Sequence, residues 1–364
     1  IEITSTFPLR YQLIDEATIT SCSLEENKTM TNNQQTNDLT RRKFLKWTAG
    51  GVIGAGALTL GLKPWKTKTA RGVTLSETRP AMGTFVEITA RGEDEKLVNN
   101  LIDRAYEKIK NVDESMSVFK DNSRVYRLNL EGNRKVDLTP EMVEVLDYAQ
   151  QISNLTDGSF DVTSAPLMKL WGFYDDELTV PTDEELTDTL ELVNYENLTV
   201  DKRGAKATLA DEKAGIDLGG IAKGYGVDKA VEVLKEGGAS AGLVNAGGDI
   251  RGYGNPEGDR PWKVGLQHPF SDNDILTALN LILPAVTTSG NYESFFTYNG
   301  SKLSHIIDPK TGRPVEDTIS VSVLTDEAIK ADGLSTGAFS QTPEEALRTV
   351  SELDDAELIY IGRD

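Results

Sequence analysis

Apolar residues at helical spacing predict four helices along the chain. In one of them the apolar positions fall at i, i+3, i+4 and i+7, and they are Val227, Ala230, Val231 and Leu234. The same spacing predicts the other three over residues 95–112, 139–154 and 183–193. Thr139 and Pro140 are typical of the cap and the first position of a helix, which supports a helix start there.

Alternating positions and short apolar runs predict strands between and after these helices. They lie at residues 82–88, 241–244, 262–266 and 279–283, with further short strands from Leu198 onward. No internal repeat or low-complexity linker interrupts this body. The pattern therefore predicts one compact α+β fold rather than separate modules.

Residues 216–226, with the sequence IDLGGIAKGYG, lie where a strand is expected to lead into a helix. A helix start offers unpaired backbone N–H groups and the positive end of the helix dipole. Gly219 and Gly220 allow another group to approach the main chain closely. These features suit a phosphate group, although a tight strand-to-helix turn would need the same small residues.

Composition narrows the classes of function only slightly. The 364 residues carry a formal net charge of −20, which argues against a nucleic-acid partner because phosphate backbones attract basic surfaces. The single cysteine, Cys22, excludes an internal disulfide framework and a cysteine-cluster metal site. The length allows one large or two modest domains.

A second glycine pair follows the central helix, in the stretch NAGGDI at residues 245–250. Together, DLGGIAKGYGVDKA and VNAGGDI resemble the signature segments of the ApbE family, the FAD:protein FMN transferases. The likeness extends in unbroken order over residues 79–336, and its other segments are SMSVF, GSFDVT, APLMKLWGF, TSGNY, SHIIDPKTGRP and ADGLSTG. It implies a compact body of mixed, largely antiparallel sheets packed with helices.

The segment ADGLSTG carries a candidate metal site. If it is helical, Asp332 and Thr336 lie four residues apart on one face, and such hard oxygen donors suit Mg²⁺. The same sequence would result if Asp332 only capped the start of a helix and Thr336 lay on the surface. The resemblance implies that Asp332, Thr336 and a backbone oxygen of Gly220 bind Mg²⁺.

The resemblance also implies which residues contact FAD, the substrate that donates FMN. They are Met82, Phe119, Ser159, Phe160, Asp161, Asp217, Lys223 and Ile306. Aromatic rings beside a loop suited to phosphate could stack on flavin or adenine. Without the resemblance, an ordinary apolar core would explain Met82 and Phe119.

The implied reaction is Mg²⁺-dependent transfer of FMN from FAD to a threonine hydroxyl, which forms a phosphoester and releases AMP. Its catalytic candidates are Lys223, His305 and Asp308. Lys223 would neutralise charge on the pyrophosphate. A carboxylate or His305 could accept the hydroxyl proton, and the sequence leaves this open. Asp308 and the residues after it also form a good turn by themselves.

The family's acceptor pattern is absent from this chain. That pattern is an acid or Ser, two residues, Ser or Thr, Gly, a small residue and Thr, so the acceptor must be another protein. Two alternatives remain: an FAD pyrophosphatase giving FMN and AMP, and an extracytoplasmic flavin-binding protein without catalysis. Asp332 and Thr336 argue against the second, because carrying a flavin requires no metal.

The chain before the body carries a predicted export signal. The stretch TRRKFLK at residues 40–46 precedes a Gly- and Ala-rich apolar run at residues 47–62, and the two resemble a twin-arginine signal. We expect residues 30–70 to be this signal with its linker, either cleaved or kept as a membrane anchor. The protein is then expected outside the cytoplasm, in the periplasm or on the outer face of the cytoplasmic membrane.

The limits of the body are also predicted. Residues 1–29 precede Met30, the expected start, and are interpreted as non-native upstream residues. Residues 71–364 form the expected transferase domain. Because the chain stops at Asp364, where a strand and a hairpin are expected, we interpret the C-terminus as truncated.

Overall fold

The computed structural model describes residues 2–5, 65–69, 72–175, 178–256, 260–271, 274–291, 295–298 and 301–363. Its strands are β1 Glu2–Ser5, β2 Trp65–Thr69, β3 Gly72–Ala81, β4 Thr84–Gly92, β5 Val136–Asp137, β6 Leu198–Asp201, β7 Lys206–Leu209, β8 Ala241–Ala246, β9 Asp249–Tyr253, β10 Lys263–Gln267, β11 Ile275–Asn280, β12 Ala285–Gly290, β13 Phe295–Tyr298, β14 Ser301–Ser304, β15 Thr318–Thr325 and β16 Glu357–Gly362.

The α-helices of the described chain are α1 Glu95–Met116, α2 Arg124–Glu131, α3 Pro140–Leu155, α4 Ala165–Leu170, α5 Asp183–Leu190, α6 Ala222–Glu236, α7 Ala328–Phe339 and α8 Pro343–Ser351. The four helices predicted from apolar spacing correspond to α1, α3, α5 and α6. Thr139 caps α3 as predicted, because its side chain accepts a hydrogen bond from the N–H of Met142. None of these helices is long and apolar enough to cross a membrane.

A nine-stranded antiparallel sheet forms the centre of the fold. Its strand order is β1-β16-β15-β12-β9-β8-β4-β3-β2. The remaining named strands form the hairpins β10–β11 and β13–β14 and the small sheet β5-β7-β6, and each of these pairs is also antiparallel. The predicted α+β class with largely antiparallel sheets is confirmed.

The two faces of the large sheet are covered differently. Helices α1, α6 and α7 pack against one face, where alternate residues of β4, β8 and β12 point toward them. The β10–β11 hairpin covers part of the other face with a smaller apolar cluster. The candidate residues of α6 and α7 therefore lie between the helix layer and the sheet.

The predicted strand over residues 82–88 begins two residues later than expected. Met82 and Gly83 form the turn between β3 and β4, and both have positive φ, 50° and 72°. Glycine adopts this left-handed region without strain, whereas methionine rarely does. The alternation of apolar residues cannot show such a turn, so the prediction placed Met82 inside the strand.

The C-terminal segment ends in a strand of the large sheet. Strand β16 pairs with β15 on one side and with Glu2–Ser5 on the other. These four residues belong to the segment 1–29, which was interpreted from the sequence as non-native upstream residues. The predicted signal at residues 40–62 lies outside the described residues.

Candidate active site

Helices α6 and α7 approach each other closely at Gly224. The N–H of Gly224 donates a hydrogen bond of 2.9 Å to Oδ2 of Asp332. A Cβ atom at Gly224 would overlap the carbonyl oxygen of Ala328 and lie 2.8 Å from Cβ of Asp332. Only glycine allows this contact, which brings the predicted metal ligand Asp332 directly beside α6.

The predicted metal ligands lie together at this crossing. The hydroxyl of Thr336 donates a hydrogen bond of 3.4 Å to the carbonyl of Gly220, one turn before Gly224. Asp332 and Thr336 share one face of α7, as the four-residue spacing predicted. The hydroxyl of Ser289 on β12 lies 3.5 Å from that of Thr336 and adds another oxygen.

Lys223 lies between two buried carboxylates. Its ammonium group forms an ion pair with Asp249 and lies 3.9 Å from Oδ1 of Asp332. Burial, followed by the charge of Asp332, raises the pKa of Asp249 to about 7 against the lowering effect of Lys223. Burial also raises the pKa of Asp332, although Lys223 and the N–H of Gly224 oppose this. Two acids sharing one cation would be stabilised by a second cation.

The donors at this crossing fit Mg²⁺. They are a carboxylate, a hydroxyl and a backbone carbonyl, which are the hard oxygen ligands that Mg²⁺ prefers. No group of three or more His, Cys, Asp or Glu side chains in the described chain could hold a metal ion. A site with so few protein ligands suits Mg²⁺, which usually retains water and binds substrate phosphates.

The start of α6 is less open than the sequence analysis predicted. The N–H of Ala222 donates to the carbonyl of Leu218 at 2.8 Å, and that of Gly224 donates to Asp332. The N–H of Gly219 donates to Oδ1 of Asp217 at 2.7 Å. These three N–H groups have acceptors within the protein, so they are not among the unpaired donors expected at a helix start, and a phosphate at this helix start stays a prediction.

Two of the predicted flavin contacts lie on either side of Tyr174. The rings of Phe119 and Tyr174 meet edge to face at 5.7 Å between centroids, and 48% of Phe119 is exposed. The hydroxyl of Tyr174 donates a hydrogen bond of 2.6 Å to Oδ2 of Asp217. Phe119 thus offers an accessible aromatic surface beside the loop that leads to Gly220.

Met82 reaches the same region from the β3–β4 turn. Its sulfur would lie 3.0 Å from a Cβ atom at Gly226, so the methionine packs directly on α6. It belongs to the edge of the two apolar clusters around that helix. Met82 is therefore part of the apolar core, and it also contacts the helix that carries Lys223.

The side chains of residues 159–161 are buried or form hydrogen bonds within the protein. Ser159 and Phe160 are buried, and the N–H of Phe160 donates to the hydroxyl of Thr156. Oδ1 of Asp161 accepts hydrogen bonds from the N–H and hydroxyl of Thr163, and Oδ2 accepts one from the N–H of Tyr195. The carboxylate of Asp161 therefore caps a short 3-10 helix and attaches a neighbouring loop.

His305, Ile306 and Asp308 lie in another part of the chain, where β14 leads into a turn. The carboxylate of Asp308 accepts hydrogen bonds from the N–H of Lys310 at 2.9 Å and from the hydroxyl of Thr311 at 2.8 Å. Asp308 therefore stabilises its own turn, as the alternative interpretation held. His305 is half-buried, and Ile306 packs at the edge of a main apolar cluster.

Comparison with known proteins decides the family. The family model described as "ApbE family" matches residues 82–360. The chain belongs to the ApbE family. The match includes all of the candidate site residues, from Met82 to Thr336.

Curated ApbE relatives carry the name FAD:protein FMN transferase. One from Haemophilus influenzae is 30% identical over 332 residues, which cover 88% of this chain and 94% of the relative. One from Vibrio cholerae is 33% identical over 293 residues, which cover 78% and 85%. The relatives are therefore similar over most of both lengths.

Solved ApbE structures share the fold. The ApbE protein from Thermotoga maritima superposes with a TM-score of 0.75 at 32% identity, over 79% of this chain and 94% of that one. The flavin transferase ApbE from Vibrio cholerae gives a TM-score of 0.67 at 28% identity, over 83% and 98%. The resemblance stated from the sequence motifs is confirmed.

Three residues that lie at this site in the structure were not predicted from the sequence. Asp249 is the fifth residue of the NAGGDI stretch and Ser289 lies in TSGNY, so both stand in segments that carried the resemblance. Tyr174 directly follows LWGF. Their motif positions were a signal, but only the fold shows which side chain each one contacts.

Proposed function

We propose that this protein transfers FMN from FAD to a threonine hydroxyl of an acceptor protein in a Mg²⁺-dependent reaction. The observation that carries the proposal is the buried cluster in which Lys223, Asp249 and Asp332 meet beside the oxygens of Gly220 and Thr336. Its net charge favours a divalent cation, and its lysine favours a pyrophosphate. The names of the relatives support the same reaction.

The proposed reaction replaces the phosphoanhydride linkage of the FAD pyrophosphate with a phosphoester. The threonine oxygen attacks the phosphorus of the FMN half, and the bond from that phosphorus to the bridging oxygen breaks. AMP leaves with the bridging oxygen and its charge, while the hydroxyl proton passes to a base. Mg²⁺ held by Asp332, Thr336 and the carbonyl of Gly220 would neutralise charge on the phosphate oxygens.

The position of Lys223 supports a role in assisting the leaving group. Its ion pair with Asp249 holds the ammonium group at the start of α6, and about a third of its side chain stays exposed to an incoming substrate. A charge-assisted contact there strengthens as charge develops on AMP. We propose that the ammonium group of Lys223 contacts the pyrophosphate of FAD.

The flavin ring is proposed to lie against Phe119 and Met82. Phe119 is the more exposed of the two, and its ring contact with Tyr174 fixes its orientation. An oriented, accessible aromatic side chain suits stacking on the isoalloxazine ring. The other proposed FAD contacts are Ser159, Phe160, Asp161, Asp217 and Ile306. Because the side chains of Ser159, Phe160 and Asp161 are buried, we propose that these three residues contact FAD through their backbone atoms.

His305 is the favoured proton acceptor of the two catalytic candidates outside the helix crossing. Asp308 uses both carboxylate oxygens to hold its turn. An imidazole accepts a proton readily near neutral pH, which suits a general base for a threonine hydroxyl.

Export by the twin-arginine-type signal at residues 40–62 remains part of the proposal. It would place the transferase outside the cytoplasm, either released or held at the membrane by the same segment. The acceptor would then be an extracytoplasmic protein with a flavinylation threonine.

Mass spectrometry of an acceptor tests this function. The purified protein is incubated with FAD, Mg²⁺ and a protein domain that carries the acceptor pattern, with a chelator in a parallel reaction. The expected result is a mass gain equal to an FMN phosphoester, lost with the chelator and lost when the acceptor threonine is replaced by alanine. Release of FMN and AMP without acceptor modification would instead identify a pyrophosphatase.

A further inference from the structure

The crossing of α6 and α7 consists of three contacts that recur every four residues. Thr336 meets Gly220, Asp332 meets Gly224, and the first turn of α7 meets Asp228. The residue numbers rise along one helix as they fall along the other, so the helices run in opposite directions. The first two contacts contain the proposed Mg²⁺ ligands, and the third lies at the far end.

Asp228 caps α7 from the neighbouring helix. Its Oδ1 accepts a hydrogen bond of 2.8 Å from the N–H of Ala328, and its Oδ2 accepts one of 2.9 Å from the N–H of Ile329. Glu327, which occupies the N-cap position, makes no capping hydrogen bond with its side chain. The usual local cap is thus replaced by a carboxylate of α6, which joins the two helices.

The central sheet holds this carboxylate in place. Arg251 of β9 donates a hydrogen bond of 2.6 Å to Oδ1 of Asp228, whose side chain is almost fully buried. Asp249, two residues earlier on β9, faces the same side and pairs with Lys223. One strand therefore fixes both ends of the helix segment that carries Lys223, Gly224 and Asp228.

We propose that Asp228 is a positioning residue that fixes the register of α7 against α6, and with it the spacing of Asp332 and Thr336 from Gly220. The inference rests on the Mg²⁺ ligands proposed above. A slip of one residue would move α7 by about 1.5 Å and turn its side chains away from the crossing. Mg²⁺ requires near-ideal ligand distances, so even a smaller shift would weaken its binding.

The chain offers a matched control at the same helix start. Tyr148 of α3 donates its hydroxyl to the side chain of Glu327, so it also contacts the first residues of α7. It makes no hydrogen bond to the backbone N–H groups that Asp228 caps. Tyr148→Phe therefore removes a nearby hydrogen bond without releasing the register.

The test compares Asp228→Asn, Asp228→Glu and Tyr148→Phe with the wild type. Mg²⁺ affinity is measured by calorimetry, FAD affinity by fluorescence titration, and amide hydrogen exchange over residues 326–334 by mass spectrometry. Asp228→Asn should weaken Mg²⁺ binding by about ten- to a hundred-fold, with faster exchange at the start of α7 and nearly unchanged FAD affinity. Asp228→Glu keeps the charge and should fall between Asp228→Asn and the wild type.

Other outcomes separate the inference from the proposed function. If Asp228→Asn binds Mg²⁺ as the wild type does, or if Tyr148→Phe weakens binding equally, Asp228 does not position the site. If the wild type binds no Mg²⁺, the proposed metal site is wrong and the inference falls with it. If Asp228→Asn does not fold, as judged by circular dichroism, a wild-type-like Mg²⁺ affinity of Asp228→Glu overturns the proposal, and an affinity weaker than that of both the wild type and Tyr148→Phe supports it.

Discussion

At the scale of single residues, substitution of Lys223 is expected to have a large effect on turnover. It is the cation beside two buried carboxylates, and its partial exposure leaves it accessible to substrate. Lys223→Ala should lower the turnover number by on the order of a hundred-fold and weaken FAD binding much less, because its contact strengthens as AMP departs. Lys223→Arg should recover turnover only in part, since its planar head group has a fixed geometry. Steady-state kinetics and FAD titration give the two quantities separately.

A double variant shows whether Lys223 acts on substrate or only on Asp249. Lys223→Ala leaves Asp249 buried without its ion pair, which would destabilise the fold by itself. Combining Lys223→Met with Asp249→Asn removes both charges and should restore stability but not turnover. Recovery of turnover in that double variant would mean that Lys223 merely neutralises Asp249.

Asp249 should make the stability of the metal-free protein depend on pH. Burial and the charge of Asp332 raise its pKa to about 7, above the value of 3.8 expected for an unfolded chain. Between these values the folded protein binds more protons than the unfolded chain, so this carboxyl makes stability fall as pH rises. One proton contributes at most about 1.4 kcal/mol per pH unit.

Asp249→Asn should remove this contribution. Urea denaturation of both proteins with a chelator, at several values between about pH 4 and pH 8, gives the free energy of unfolding as a function of pH. We expect the wild type to lose stability relative to the variant as pH rises. Parallel curves would show that Asp249 stays ionised throughout this range in the folded state.

The residues of the site were only partly predictable from the sequence. The shared face of Asp332 and Thr336 follows from helix geometry, and motif resemblance identified Gly220 and Lys223. The partner of Lys223 is Asp249, 26 positions away, and this pairing exists only because β9 lies under α6. Distant pairings of this kind depend on the tertiary fold, so no local pattern reveals them.

At the scale of elements, the contact between α6 and α7 depends on one glycine. A side chain at Gly224 would overlap the backbone of Ala328, which cannot move without displacing α7. We expect Gly224→Ala to destabilise the protein by about 2 kcal/mol or more, in spite of the better helix propensity of alanine. The free energy of unfolding from urea denaturation measures this loss.

Gly226 provides the control on the same helix. There a new Cβ would meet the sulfur of Met82 at 3.0 Å, and that flexible side chain can shift. Gly226→Ala should therefore change stability by less than about 1 kcal/mol, because the gain in helix propensity offsets the contact. Equal losses in the two variants would show that the α6–α7 contact is not the limiting feature.

Helices were easier to predict than strands and turns. The apolar spacing placed α1, α3, α5 and α6 within a few residues, because their stability comes from one buried face. The turn at Met82 was missed, because a two-residue hairpin loop with positive φ at both residues is typically built from Gly, Asn or Asp and not from methionine. The start of α6 has fewer unpaired N–H groups than expected, because acceptors within the protein already bind those of Gly219, Ala222 and Gly224.

At the scale of the whole molecule, the order of strands could not be deduced from local patterns. Strand β4 pairs with β8, although α1 to α6 and three short strands lie between them in the chain. Motif order along residues 79–336 supplied this information indirectly, through the family resemblance. The helix layer and the sheet that result are both needed to form the charged cluster, which therefore exists only in the folded protein.

Export of this folded body is predicted to depend on the arginine pair at Arg41 and Arg42. A receptor that recognises two planar guanidinium groups should not accept lysines equally, so Arg41→Lys with Arg42→Lys should leave the precursor in the cytoplasm. The control variant, Lys43→Arg, keeps the pair and the local charge and should be exported normally. Cell fractionation with immunoblotting and an FAD transfer assay in each fraction measures the distribution. If the double lysine variant reaches the extracytoplasmic fraction in normal amounts, residues 40–62 do not act as a twin-arginine signal.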